Sequence, residues 1–127
     1  MPHNPLLTKS FVAEGALTKR RLVKLGSSNA QVKPAVDGAA FILGVIDPAA
    51  DVADKGQVDI ITAGMSDIEA GAAVALGDAI SADASGRAVK STPAAGVNAN
   101  IIGFALEAAT AAGDIISIQI APGRIQG

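Results

Sequence analysis

Apolar and polar positions alternate in short stretches along this chain, and the stretches recur. Ile116-Ser-Ile-Gln-Ile120 carries a period of two throughout, and Val58, Ile60 and Thr62 show the same spacing earlier on. Such alternation turns one face of a strand inward. Ala121-Pro122-Gly123 stops the last stretch. Phe41-Ile-Leu-Gly-Val-Ile46 and Ile101-Ile-Gly-Phe-Ala-Leu106 are continuous apolar runs, each with a glycine inside. A glycine within a strand marks a bulge or a close backbone approach. Small-residue loops follow both runs. Leu22–Leu25 and Gln31–Lys33 flank the turn cluster Gly26-Ser-Ser-Asn29, and Pro34 closes the pair. Asp78–Ala82 and Arg87–Lys90 flank Asp83-Ala-Ser-Gly86. Both read as hairpins, because Asp and Gly supply turn chemistry. Ser66 with Glu69 fits a helix-capping box, but Gly71 weakens a helix there, so the segment reads equally as a turn. Ala108–Ala112 reads as a loop. The sum is about eight short strands with little helix, an all-β chain forming a small barrel or sandwich.

These elements occur twice. Residues 12–64 and 68–121 form a pseudo-repeat: Gly15 matches Gly71, Val23 matches Ile80, Lys33 matches Lys90, Gly44 matches Gly103 and Gly56 matches Gly113, at spacings of 56 to 59 positions. It reads either as two half-barrels sharing one sheet or as a coincidence of Gly/Ala-rich composition. Residues 12–127 are expected to form a single β-rich domain. Residues 1–11, with Pro2 and Pro5 ahead of Leu6 and Leu7, read as an extended N-terminal arm or a frayed terminus.

Composition narrows the role. Half of the 127 residues are hydrophobic, but Ala, Val and Ile dominate, with three Phe and no Tyr or Trp. Small side chains each remove little apolar area from water, so a marginal monomer stabilised by association is expected. The aromatic shortage and the formal net charge of −2 argue against nucleic-acid binding by stacking or long-range attraction. With no Cys there is no thiolate nucleophile and no disulfide. No signal peptide is apparent at the start, and no apolar run is long enough to span a bilayer.

Candidate chemistry is sparse. His3, the one histidine, lies in the arm, where a metal site or triad would lack fixed partners. The twelve acidic residues fall mostly in predicted turns, where Asp bonds nearby N–H groups. Asp47, Asp51 and Asp54 share one loop but lack the dense ligand spacing of a Ca²⁺ loop. No phosphate-binding glycine fingerprint appears. The expectation is a non-enzymatic chain without metal or cofactor. Lys19-Arg20-Arg21, with Lys24, is the one basic cluster, either a patch for an acidic partner surface or a solvated face.

The run Ile102-Gly-Phe-Ala-Leu-Glu-Ala-Ala-Thr-Ala-Ala-Gly-Asp-Ile-Ile-Ser-Ile-Gln-Ile-Ala-Pro-Gly123 and the preceding Ala75-Leu-Gly-Asp-Ala-Ile-Ser-Ala-Asp-Ala-Ser-Gly-Arg-Ala-Val89 resemble the small capsid cement, or head decoration, proteins of tailed bacteriophages. The likeness is greatest over residues 66–123. It implies a structural virion protein that binds the outside of an assembled head and staples major capsid subunits. It also implies a homo-oligomer, with a trimer favoured, located on the virion and in the host cytoplasm during assembly. The chain departs from the family in its two-proline arm and basic cluster. Those departures leave the docking mode open, and the unrepeated arm and patch supply the candidate capsid contacts, Leu6, Leu7 and Phe11 with Lys19, Arg20 and Arg21. Two other readings compete. A non-viral binding or carbohydrate module would want exposed Trp or Tyr, which are absent. A small barrel enzyme would need a nucleophile, base or cofactor loop.

Overall fold

The computed structural model describes residues 4–46 and 51–127, with side chains from Leu7 onward. The described residues hold nine strands and no helix: β1 Asn4–Ala13, β2 Leu22–Leu25, β3 Gln31–Pro34, β4 Ile42–Ile46, β5 Gln57–Glu69, β6 Ala79–Ala82, β7 Ala88–Lys90, β8 Asn98–Ala105 and β9 Ile115–Gln126. β1 pairs in parallel with β3 and antiparallel with β5, so β1-β3-β2-β4-β5 closes into a five-stranded barrel. β5 then runs on into a second set, β5-β9-β8-β6-β7. Its last gap, between β7 and the end of β5, is spanned by one parallel bridge from Ala70 to Ala88. That closure is short because the first half intrudes. The Glu69 N–H donates to the Arg20 carbonyl at 2.9 Å, and the Leu22 N–H donates to the Gly86 carbonyl at 2.8 Å.

The two halves superpose in role, residue by residue. The interior of the first barrel includes Phe11, Leu17, Val23, Ile46, Val58 and Ile60. The residues 57 to 59 positions later, Ile68, Val74, Ile80, Ala105, Ile116 and Ile118, belong to the core of the second half. The isolated bridges repeat as well, Leu17 with Val52 and Val74 with Ala109, both 57 positions apart. Three turn positions share a left-handed backbone across the repeat: Arg20 with Gly77, Ala30 with Gly86, and Lys55, in place of the Gly56 matched from the sequence, with Gly113. The first half places side chains where the second has glycine, and φ values of 59°, 62° and 67° load its turns with strain.

The two glycines inside apolar runs are close approaches. A Cβ on Gly44 would fall on the Ile61 carbonyl oxygen, and one on Gly103 on the Gln119 carbonyl oxygen. Register shifts accompany both, between Val23 and Lys24 opposite β4 and between Ile101 and Gly103 on β8.

Three expectations change. The free arm at 1–11 is replaced, from Asn4 onward, by β1, paired from Asn4 opposite Met65 to Val12 opposite Gln57. Phe11 and Ala13 point into the barrel while Ser10 and Val12 face out, so alternation supplies the strand signal that the prolines obscured. The segment at 66–69 is neither helix nor turn but the end of β5, where Ser66 and Ile68 are buried and pair with β9. Two of the strands are also long: β5, with 13 residues, serves both halves, and β9, with 12, pairs with β5 and then follows β8 as far as Gln126.

Candidate functional site

Of the six candidate contacts, the structure leaves two plainly open. Leu7, on β1, is 58% exposed, and Lys19, in the turn before β2, is exposed. Leu6 lies in β1 by its backbone, and its side chain falls outside the described residues. Phe11 is corrected: it is 9% exposed and packs inside the first barrel, with the Lys9 ammonium 5.6 Å from its ring centroid. An inward barrel position removes it from any partner surface.

The basic cluster is divided by its turn. The Lys19 N–H donates to Asp51 Oδ1 at 2.9 Å, leaving the side chain outside. Arg20 is half-buried in a left-handed conformation, and its carbonyl holds β5. Arg21 turns into the seam between the halves. Its guanidinium lies 3.6 Å from Glu69, and Nη1 donates to the Ser85 carbonyl at 3.3 Å. Arg87 meets the same carboxylate at 3.7 Å and Asp83 at 3.2 Å. These four side chains clasp the end of β5 and the β6–β7 turn to the start of β2. Arg21 therefore serves the fold, a role its sequence neighbours did not reveal, because Glu69 and Arg87 are distant in the chain.

The acidic residues work mainly as turn caps. Asp54 accepts from the Gly15 N–H at 2.8 Å, Asp78 from the Ala75 N–H at 2.9 Å, and Asp83 from the Ser85 and Arg87 N–H groups at 2.8 and 2.9 Å. Glu14 accepts from the N–H of Ser27, which holds its carboxyl below the ordinary range, with the Ser27 hydroxyl and Lys33 assisting. The Thr110 N–H and hydroxyl, then the Ala111 N–H, lower Asp114 in the same way. Asp47 and His3 fall outside the described residues. Among the described residues no three His, Asp or Glu side chains gather as a metal site would require. A cavity of about 60 Å³ opens where Leu17, Arg21, Leu22, Pro34 and Ser85 meet. That is room for about two waters, far below a substrate pocket of roughly 300 Å³ or more.

Exposed apolar side chains that sequence reasoning missed flank the point where the Gly77 N–H donates to the Ala105 carbonyl. Leu76 is 70% exposed and Phe104 is 41% exposed, with Leu106 also open beside them. Phe104 lies within the apolar run at 101–106, so it reads as core, yet it is exposed where its repeat counterpart Val45 is buried.

The sequence matches the phage cement protein family over residues 1–120. This chain belongs to that family. The match includes β1 and the basic cluster as well as the segment that carries the resemblance, so the family signature spans both halves of the repeat. Among solved structures, the head fiber gp8.5 N base of bacteriophage phi29 is similar, with a TM-score of 0.66 and 20% identity over 91% of this chain and 93% of that one. At that identity the likeness establishes the shared fold. Comparison with curated protein sequences returned no match. Membership in the cement family makes the chain a phage structural protein associated with the capsid and the virion.

Proposed function

We propose that this protein binds the outer surface of the phage head across the seams between major capsid subunits and stabilises the expanded shell, as a homo-oligomer for which a trimer is favoured. The observation that carries the reading is the cement-family match over residues 1–120. The physics is linkage. A head expands as it matures, and its packed genome strains the seams. A protein that binds the expanded shell and not the precursor shifts the balance toward the expanded state by mass action. Many symmetric sites make modest affinity at each one sufficient. Catalysis plays no part in this role.

Leu7 and Lys19 are the proposed capsid contacts, because they remain exposed where Phe11 and Arg21 do not. The protein accumulates in the host cytoplasm before it joins the head. Purified protein is expected to co-sediment with expanded shells and not with unexpanded precursors. Leu7→Asp and Lys19→Glu should each weaken that binding with the melting temperature unchanged. Absence of binding to either shell would remove the reading, and unchanged binding by both variants would remove the two contacts.

A further inference from the structure

The second half presents, uncovered, the face by which the first half is buried. Leu22, Val45 and Ile61 form one row across β2, β4 and β5, with Leu22 paired to Val45 and Val45 to Ile61. All three are fully buried, yet they lie outside the interior of the first barrel. They join the cluster that holds Ala82 and Ile120 of the second half. The equivalent row, 57 to 59 positions on, is Ala79, Phe104 and Gln119, joined in the same register. Here Phe104 and Gln119 are exposed. The Gly77 N–H donates to the Ala105 carbonyl and the Ala105 N–H to the Asp78 carbonyl, which sets Leu76 and Leu106 beside the row.

The opposing side of the internal contact recurs too. Ala82, which shares the buried cluster of the first row, has Leu25 as its counterpart 57 positions earlier, and Leu25 is 53% exposed. The β6–β7 turn, whose Gly86 carbonyl accepts from Leu22, has as its counterpart the exposed β2–β3 turn at Ala30. Chain path explains why these surfaces stay open. β5 leaves β4 after Ile61 and pairs with β9 from Gly64, carrying the chain into the second half. β9 instead stays paired with β8 as far as Gln126.

We propose that a second copy of this chain covers the Ala79–Phe104–Gln119 row, docking head to tail through the β2–β3 end of its first barrel around Leu25. The proposal specifies the surface for the self-association in the proposed function. The occupant is a second copy because the same face, in the first half, is already seated against a unit of this fold. Phe104 is the aromatic anchor, with Leu76 and Leu106 at its edge. A contact of this kind is heterologous and closes into a ring when its rotation permits.

Light scattering coupled to gel filtration tests this on the full chain, with thermal melts confirming that each variant folds. The wild type is expected as a multiple of the 12.5 kDa monomer. Phe104→Asp and Leu25→Asp should each weaken association by about 30-fold or more. Mixed together, the two variants retain one intact head and one intact tail, so they should form a 1:1 dimer that grows no further. A monomeric wild type at every concentration would overturn the proposal, as would association that ignores both substitutions. A monomeric wild type whose Phe104→Asp variant loses expanded shells would reassign the row to the capsid and also overturn it. Wild-type protein that associates through this row but ignores shells would uphold this proposal and sink the capsid reading.

Discussion

Replacing Gly103 with Ala should be among the most damaging single-methyl changes available to this protein. The added Cβ would fall on the Gln119 carbonyl oxygen, with the Gln119 carbonyl carbon 2.9 Å away and the Ala121 nitrogen 3.0 Å away. All three are backbone atoms of β9, so no rotamer change relieves the overlap. β8 and β9 must separate by about 1 Å or more to restore van der Waals contact. Overpacking of this kind costs about 1–3 kcal/mol. Each ladder hydrogen bond stretched beyond use adds about 1 kcal/mol. With one or two bonds affected, the sum is about 2–5 kcal/mol, a large share of the roughly 5–15 kcal/mol that stabilises a domain. At about 3–5 °C per kcal/mol for a chain this size, the midpoint should fall by roughly 6–25 °C. Gly123→Ala is the control in the paired strand, because its nearest neighbours would lie 4.0 Å away, an ordinary contact. Its effect should stay within about 0.5 kcal/mol. Thermal melts followed by far-ultraviolet circular dichroism read both variants. Melting of Gly103→Ala within two or three degrees of Gly123→Ala would refute the close approach and, with it, the reason for glycine in that apolar run.

Other outcomes follow from the same structure. Lys55→Gly should raise stability by about 0.5–1 kcal/mol, since relief of a left-handed backbone (about 1–2 kcal/mol) exceeds the entropy that glycine adds to the unfolded chain (about 0.5–1 kcal/mol); a lowered chemical-denaturation midpoint would contradict the strain argument. The folded-state pKa of Asp114 is depressed by its Thr110 bonds, so the stability it contributes is present above the ordinary carboxylate range and is lost as pH falls through the lowered value. Asp114→Asn should therefore melt lower at pH 7 and lose less than the wild type between neutral and acidic pH; parallel pH profiles would remove the assignment. Deleting residues 1–11 removes β1 as far as Phe11, so the first barrel should lose its cooperative transition; a truncated protein with intact amide-exchange protection in β2–β5 would show that β1 is dispensable.

The sequence made the strands of the repeat legible because they carry period-two alternation and strong turn residues. Ile116–Ile120, both hairpins and both glycine-bearing runs lie where the pattern put them. β1 was hidden because Pro2 and Pro5 outweighed the alternation of Phe11 and Ala13; near Pro5 the strand pairs on one side only, with β5, where proline is tolerated. β5 was hidden at Ser66–Glu69 because a capping-box pattern is local, whereas pairing with β9 spans almost fifty residues. The candidate contacts fared by exposure. Leu7 and Lys19 are exposed, while Arg21 is claimed by Glu69 from the far end of β5. Phe104 was illegible for the opposite reason, since an apolar residue in an apolar run reads as core until its row across three strands is seen.

Stabilisation of an expanded head can be measured on the particles themselves. Heads assembled without it, with and without the purified protein added back, can be heated and the fraction of intact particles counted by electron microscopy. Saturating addition should raise the disruption temperature of expanded heads and leave precursor shells unchanged. Identical disruption temperatures with and without the protein, at concentrations where it binds, would contradict the account.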